Sequence, residues 1–300
     1  MHFDRRVFLA SSTAFGFSAL WAKASDISVR SFSIGVIADV QYADKPDDPP
    51  HHYRAATARL HEALQEMNRH KLGFVVHTGD FIDGGWENYA TIKRVAAENR
   101  HPWHFVLGNH DFKIEEDKKR TLYRELGMPA RYYDFFYQGW HFVVLDGTDQ
   151  SPYGWPAGST EATEAEALLK TRYPAGKPWN GAIGPVQQKW LDGILTKADQ
   201  DGTPVALICH FPIYPHKDDM ILLWNADEIV SLIEPHPSVK LWLNGHEHTG
   251  GYGEKAGIHY LNLKGMLDSD QNAFAIMDFS PKKIVVHGYG REENRVLRLR

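Results

Sequence analysis

The sequence predicts a single α/β domain in which two facing β-sheets are flanked by helices. Short apolar runs rich in β-branched residues alternate with longer amphipathic stretches, which is typical of an α/β domain rather than a helical bundle or an all-β sandwich. The C-terminal stretch differs, because its apolar runs are separated only by turn residues. The sequence contains no internal repeat or low-complexity tract, so one domain is the simplest arrangement.

Apolar periodicity and turn residues predict the individual elements. Strands are predicted at residues 31–38, 74–78, 103–107, 140–146, 205–210 and 240–244. Helices are predicted at residues 53–70, 89–99, 115–126, 185–198 and 224–233. Three consecutive antiparallel strands are predicted at residues 258–263, 273–279 and 283–288, and they suggest a second sheet. Residues 147–184 are rich in Gly, Pro and Thr, with a helical patch at 161–170, and are predicted to form an insertion near the active face.

The first 24 residues predict an export signal, which leaves residues 25–300 as the folded domain. Arg5 and Arg6 precede an uncharged, mildly apolar stretch, and residues 22–24, Ala-Lys-Ala, match a small-x-small cleavage pattern. Paired arginines before such a stretch are similar to bacterial twin-arginine (Tat) signals. They predict recognition by the Tat export machinery, a periplasmic or secreted location and, after cleavage, no stable membrane insertion. An uncleaved N-terminal anchor is the alternative.

Composition excludes several classes of protein. Of the 300 residues, 43% are hydrophobic and 24% are charged, which excludes a disordered or collagenous chain. The formal net charge is −5 and no basic run interrupts the chain, so no nucleic-acid partner is expected. The one cysteine, Cys209, excludes an intramolecular disulfide, so stability must come from core burial or from metal.

Polar side chains end or follow five of the predicted strands. These clusters contain Asp39 and Gln41, then Asp80 and Asp83, then Asn109, His110 and Asp111, then His210, and last His246 and His248. Because an open α/β sheet presents its functional loops at the carboxyl ends of its strands, we expect the five clusters to meet in one crevice.

Such a collection of ionisable groups indicates metal binding. Removing several of them from water together costs many kcal/mol unless cations or hydrogen bonds compensate. Mixed carboxylate, amide and imidazole donors suit divalent ions such as Mn²⁺, Fe²⁺ or Zn²⁺. The lack of nearby cysteine argues against a structural zinc site.

In order along the chain, the five clusters match the motifs D-x-[HQ], G-D-x-x-D, G-N-H-[DE], a lone His and G-H-x-H. With these motifs the sequence resembles the calcineurin-like metallophosphoesterases. The motifs extend from Asp39 to His248, so the resemblance covers nearly all of the chain after the export signal. It implies a four-layer sandwich of two facing mixed β-sheets flanked by α-helices, and a metal-dependent hydrolase of phosphoric esters or anhydrides.

Within that superfamily the chain is most similar to the manganese-dependent ADP-ribose/CDP-alcohol diphosphatases. Residues 35–44, GVIADVQYAD, carry the resemblance, because that family also has Gln at the position of Gln41 where most relatives have His. Residues 184–191, 250–252, 265–267 and 273–274 are similar as well. The resemblance implies cleavage of the phosphoanhydride in nucleoside-diphosphate-linked compounds such as ADP-ribose and CDP-alcohols. The products would be a nucleoside monophosphate and a second phosphorylated compound.

The resemblance also implies a role for each motif residue. One divalent ion would be held by Asp39, Gln41 and His248. The other would be held by Asn109, His210 and His246, and Asp80 would bridge the two. His110 would protonate the leaving oxygen, Asp111 would orient the His110 ring, and Asp83 would support the site from behind the ligands.

Gln41 favours Mn²⁺ as the resident ion. An amide oxygen in place of an imidazole nitrogen makes a site harder and weakens it for Zn²⁺. Fe²⁺ and Zn²⁺ remain alternatives. Export of the folded protein would allow manganese to be loaded in the cytoplasm, before competing metals are met outside.

Two other functions are compatible with the motifs. A phosphodiesterase or phosphomonoesterase would use the same metals on another substrate, because the loops and the insertion at 147–184 set specificity. A non-catalytic phosphate-ligand sensor or binding protein could use the same fold. The complete ligand set and His110 make that interpretation the least favoured.

Overall fold

Two six-stranded β-sheets with flanking helices form the part of the chain that the computed structural model describes, residues 29–215 and 220–300. This arrangement confirms the predicted α/β sandwich. The predicted export signal, residues 1–24, lies outside the described residues, and export stays a prediction. Within the described ranges, no helix has the length and apolar character needed to cross a membrane.

The first sheet carries three of the five functional loops. In spatial order its strands are β12 (Arg295–Arg298), β11 (Lys283–Gly290), β10 (Ala273–Phe279), β1 (Phe32–Ile37), β2 (Val75–His77) and β3 (Trp103–Phe105). β1, β2 and β3 are parallel, whereas β10 pairs with β1 in the antiparallel sense. The parallel strands therefore end at one edge of the sheet, shortly before Asp39, Asp80 and Asn109.

The second sheet carries the other two loops. In spatial order its strands are β4 (Tyr133–Tyr137), β5 (Trp140–Val144), β6 (Val205–Ile208), β7 (Val239–Asn244), β9 (Ile258–Asn262) and β8 (Gly251–Lys255). β5, β6, β7 and β9 are parallel, and antiparallel β4 and β8 form the edges. β6 and β7 therefore end at the same edge, before His210 and His246.

Helices cover the outer faces of the sheets. In chain order they are α1 (Ala56–Met67), α2 (Asn88–Ala96), α3 (Glu116–Lys119), α4 (Leu122–Glu125), α5 (Thr160–Thr171), α6 (Pro185–Asp201) and α7 (Ala226–Ile233). α1 buries one apolar face that includes Leu60, Leu64 and Met67. α6 begins at Pro185, which needs no hydrogen-bond partner there, and ends before the left-handed Gly202.

Three large apolar clusters join these layers in the described part of the chain. Val36 of β1 and Ile208 of β6 belong to the cluster between the two sheets. Their chain neighbours face outwards, so that Ile37 packs in the cluster with α1 and α2 and Leu207 packs in the cluster with α6 and α7. Successive residues of a strand point to opposite faces. Strands covered on both faces are therefore apolar along their whole length.

The expectation of a separate C-terminal sheet is wrong. The strand predicted at 258–263 is β9, which joins β7 in the second sheet. The strands predicted at 273–279 and 283–288 are β10 and β11, which extend the first sheet. Pairing with strands that are distant in the sequence decides the sheet to which each belongs.

Two further local predictions differ from the structure. The helix predicted at 115–126 is two short helices, because the Thr121 backbone N–H and hydroxyl both donate to the Lys118 carbonyl and close the first one. The edge strands β4, β8 and β12 were not predicted. β8 has glycine and charged residues where a buried strand would be apolar, so its pairing with β9 defines it.

A buried ion pair holds the start of the segment 147–184. Nε of Arg131 donates to Oδ2 of Asp146 at 2.6 Å, and Nη1 donates to the Gly154 carbonyl at 2.8 Å. The guanidinium also lies 4.0 Å from the centre of the Trp155 ring. The Arg131 and Asp146 side chains are 11% and 1% exposed, so each charge depends on the other for compensation.

Replacing Arg131 by Met should lower the free energy of unfolding by roughly 3–5 kcal/mol, because Asp146 would stay buried without a cation. Urea unfolding at neutral pH measures the change. The exposed pair Arg120–Glu161 is the matched control, and R120M should leave the unfolding midpoint nearly unchanged. Equal losses in the two variants would contradict this account.

Candidate metal centre

The five polar loops meet where the carboxyl edges of the two sheets face each other. The His246 backbone N–H donates to Oδ2 of Asp39 at 3.1 Å, which joins a loop of the second sheet to one of the first. All seven metal ligands implied by the resemblance lie in this cluster, namely Asp39, Gln41, Asp80, Asn109, His210, His246 and His248.

One set of donor atoms surrounds His210, and we call it the His210 group. Nε2 of His210 lies 3.1 Å from Oδ1 of Asn109 and 3.3 Å from Oδ2 of Asp80. The same nitrogen lies 3.2 Å from Nδ1 of His246. Asp80 and His210 are fully buried, so water cannot easily separate these atoms.

The chemistry of the His210 group fits a cation. Nδ1 of His210 lies 2.9 Å from the Thr78 carbonyl oxygen, and Nε2 of His246 lies 3.0 Å from Oδ1 of Asn180. Both partners are acceptors, so both of these nitrogens carry a proton. In the neutral rings, Nε2 of His210 and Nδ1 of His246 therefore face each other with lone pairs, which a metal ion or an added proton would satisfy.

A second set, the His248 group, shares Asp80 with the first. Nε2 of His248 lies 3.0 Å from the Gln41 side-chain amide and 3.5 Å from Oδ1 of Asp39. The Gln41 amide also lies 3.1 Å from Oδ2 of Asp80, so this one carboxylate oxygen contacts both groups. A flip of the Gln41 amide about its last torsion would place its oxygen where its nitrogen now lies, next to Asp80 and His248.

The charges of the centre favour cations. Burial tends to lower the pKa of His210, yet Asp80 and Asp39 together raise it to about 9. Burial acts on His248 in the same direction, and the carboxylates of Asp268 and Asp39 raise its pKa well above the ordinary value. Burial opposes ionisation of Asp80 as well, but the neighbouring histidines hold its pKa below the ordinary value. The potential that holds these protons would equally hold divalent ions, so the donor set fits a two-metal centre.

Four of the expected ligand residues have left-handed backbone. The φ angles are 50° at Asp39, 43° at Gln41, 61° at Asp80 and 71° at His246. Such angles are uncommon outside glycine and collect at functional sites. The Asp80 side chain also packs closely against the backbone of Gly108, because a Cβ atom at Gly108 would collide with Oδ1 of Asp80.

Asp111 has a different position from the one expected. Its carboxylate accepts the backbone N–H groups of Asp80, Phe81, Ile82 and Gly108 and the hydroxyl of Tyr89, at 2.9–3.3 Å. The carboxylate on the His110 ring is instead Asp83, whose Oδ1 contacts Nδ1. Residues 110–112 form one turn of 3₁₀ helix, in which successive side chains diverge by about 120°, so Asp111 points into the core. Burial and the charge of Asp80 raise the pKa of Asp111 to about 6.

Two residues of the centre have no motif that predicts them. Asn180 lies at the end of the segment 147–184 and contacts His246, and Asp268 follows β9 and contacts His248 at 2.9 Å. Neither belongs to a motif. The only local signal is their position in loops that follow or connect buried elements, which many surface residues share.

Known proteins resemble this chain over most of its length. The family model of calcineurin-like phosphoesterases matches residues 32–250. The manganese-dependent ADP-ribose/CDP-alcohol diphosphatase of Arabidopsis thaliana is 32% identical, over 88% of this chain and 96% of its own. The protein of the same name from Bos taurus is 29% identical, over 92% of this chain and 96% of its own. The crystal structure of a dimetal phosphatase from Danio rerio superposes with a TM-score of 0.80 and 26% identity, covering 90% of this chain and 99% of that one.

Replacing Asp111 by Ala should lower the free energy of unfolding by roughly 3–5 kcal/mol, because buried backbone donors would lose their acceptor. Replacing Tyr89 by Phe removes only one donor to the same carboxylate and should cost about 1 kcal/mol. Urea unfolding of both variants without added metal tests this. If D111A lost no more stability than Y89F, Asp111 would not be what holds these loops together.

Proposed function

Because this chain belongs to the calcineurin-like phosphoesterase family, we propose that it hydrolyses the phosphoanhydride of nucleoside-diphosphate-linked compounds, such as ADP-ribose and CDP-alcohols. The main observation that supports this proposal is that the two donor groups share one carboxylate oxygen, Oδ2 of Asp80. Relatives named as diphosphatases of these compounds support the substrate class, since they align over about nine-tenths of the chain.

The His248 group and the His210 group would each hold one divalent ion, with Asp80 between them. When bound, such a pair neutralises charge on the phosphoryl group and activates water for in-line attack. The buried Thr78 carbonyl accepts from Nδ1 of His210 and so keeps Nε2 of that ring turned towards the other donors of its group. We propose Mn²⁺ as the ion, because Gln41 offers an amide oxygen where an imidazole would favour Zn²⁺.

His110 would act as the general acid. Its Nδ1 contacts Asp83, and its Nε2 lies 4.0 Å from Oδ2 of Asp80 and so faces the centre. As the oxygen of water bonds to one phosphorus, the bond from that phosphorus to the bridging oxygen breaks. The Nε2 proton then passes to the leaving oxygen, and the proton released by water can restore it. The ring is 26% exposed, so substrate and solvent can reach it.

The test uses the metal-stripped protein with Mn²⁺, and in parallel with Zn²⁺. Four substrates are compared, namely ADP-ribose, CDP-choline, bis-p-nitrophenyl phosphate and p-nitrophenyl phosphate, and the products are separated by chromatography. We expect AMP from ADP-ribose and CMP from CDP-choline, with faster turnover in Mn²⁺ and little action on the monoester. Preferential turnover of a synthetic ester would replace the proposal by a phosphodiesterase or phosphatase function. Bound zinc without activation by manganese would contradict the choice of metal.

Replacing His110 by Ala should lower turnover of the best of these substrates by roughly 10²–10⁴-fold, because the leaving oxygen would lose its proton donor. The content of Mn²⁺ should not change, since His110 is not among the proposed ligands. His61 is an exposed histidine paired with Glu98, and H61A serves as the matched control with unchanged turnover. Unchanged turnover in H110A would remove the assignment of His110 as the acid.

A further inference from the structure

We propose that Asn180 and Asp268 are positioning residues that turn opposite ring nitrogens of His246 and His248 towards the two metal ions. This inference rests on the metal centre of the proposed function. It assigns the end of the segment 147–184 a role in holding one ion, and the loop after β9 a role in holding the other.

Asn180 can present only its oxygen to His246. The Asn180 side chain is fully buried, and its Nδ2 donates to the carbonyl oxygens of Met220 and Leu222, both at 2.9 Å. Those two acceptors fix the orientation of the amide. Its Oδ1, 3.0 Å from Nε2 of His246, therefore accepts a proton from that nitrogen. Nδ1 of His246 is left as the ligand atom in the His210 group.

Asp268 acts on the opposite nitrogen of His248. Its Oδ1 accepts from Nδ1 at 2.9 Å, which leaves Nε2 for the His248 group. The loop that carries Asp268 is itself held, because Nη1 of Arg59 donates to the Met266 and Leu267 carbonyls at 3.0 and 2.7 Å. The Leu267 backbone N–H also donates to the Asp39 carbonyl at 3.0 Å, so Asp268 and a ligand of the same ion are joined through the backbone.

The two contacts differ in chemistry. A carboxylate that accepts from a ligand imidazole orients it and raises its basicity, whereas a neutral amide mainly orients it. Loss of either partner should weaken one ion rather than both, because Asn180 contacts only the His210 group and Asp268 only the His248 group. Removal of such partners typically lowers metal affinity by roughly 10–100-fold.

The experiment measures Mn²⁺ binding to the full chain by calorimetry and by metal content after dialysis at a fixed Mn²⁺ concentration. The wild-type protein is expected to hold two ions. N180A and D268A should each lose roughly 10–100-fold affinity for one ion and keep the other, and the double variant should lose affinity for both. Turnover lost in the single variants should return as Mn²⁺ is raised.

Conservative variants separate ring orientation from loop support. D268N retains an oxygen acceptor and should lose less affinity than D268A. N180D retains an oxygen towards His246 but cannot donate to Met220 and Leu222, so its affinity for that ion should lie between the affinities of the wild-type protein and N180A.

Two neighbours provide matched controls. Trp179 donates to the same Met220 carbonyl at 3.0 Å but belongs to neither donor group. His51 lies 3.6 Å from the Asp268 Oδ1 atom that contacts His248, and it also belongs to neither group. W179F and H51A should therefore bind both ions normally. Normal binding of both ions by N180A and D268A, or an equal loss of both ions in each, would overturn the inference. A wild-type chain that fails to bind two ions would instead contradict the metal centre of the proposed function.

Discussion

The buried charge of one carboxylate, Asp80, is the constraint on which the site depends. A carboxylate without water is tolerated only where cations or hydrogen bonds replace its hydration. Oδ1 accepts the backbone N–H of His110 at 2.7 Å, and Oδ2 lies between the two donor groups. Gly108 leaves the space that this carboxylate occupies. A shift of Asp80 would therefore disturb both donor groups and the backbone that carries His110 at the same time.

The scaffold maintains strained loops by anchoring both of their ends. Left-handed backbone at a residue such as Asp39 or Asp80 costs of order 1–3 kcal/mol unless its surroundings determine the conformation. β1 and β2, which lead into these loops, are packed on both faces by apolar clusters. The Asp111 carboxylate then accepts hydrogen bonds from the backbone N–H groups of Asp80, Phe81 and Gly108. A rigid four-layer sandwich thus supports a geometry that the loops alone would not adopt.

The segment 147–184 is connected to the metal centre as well as to the sheet beneath it. Arg131 holds its beginning through Gly154, and Asn180 near its end contacts His246. A change in this segment can therefore reach the His210 group through Asn180. The two contacts join this segment to the sheet at one end and to His246 at the other.

Local patterns in the sequence predict the candidate ligand residues, because motifs such as Gly108-Asn109-His110 combine a tight turn with donor side chains within a few residues. Apolar periodicity likewise predicted most strands and helices. It could not predict that β9 and β10 belong to different sheets, that Asp83 rather than Asp111 contacts His110, or that Asn180 and Asp268 contact His246 and His248. The contact between His246 and Asn180 joins residues 66 positions apart. Short-range patterns record burial and turn preference, whereas such partners are chosen by how the packed sheets bring distant loops together.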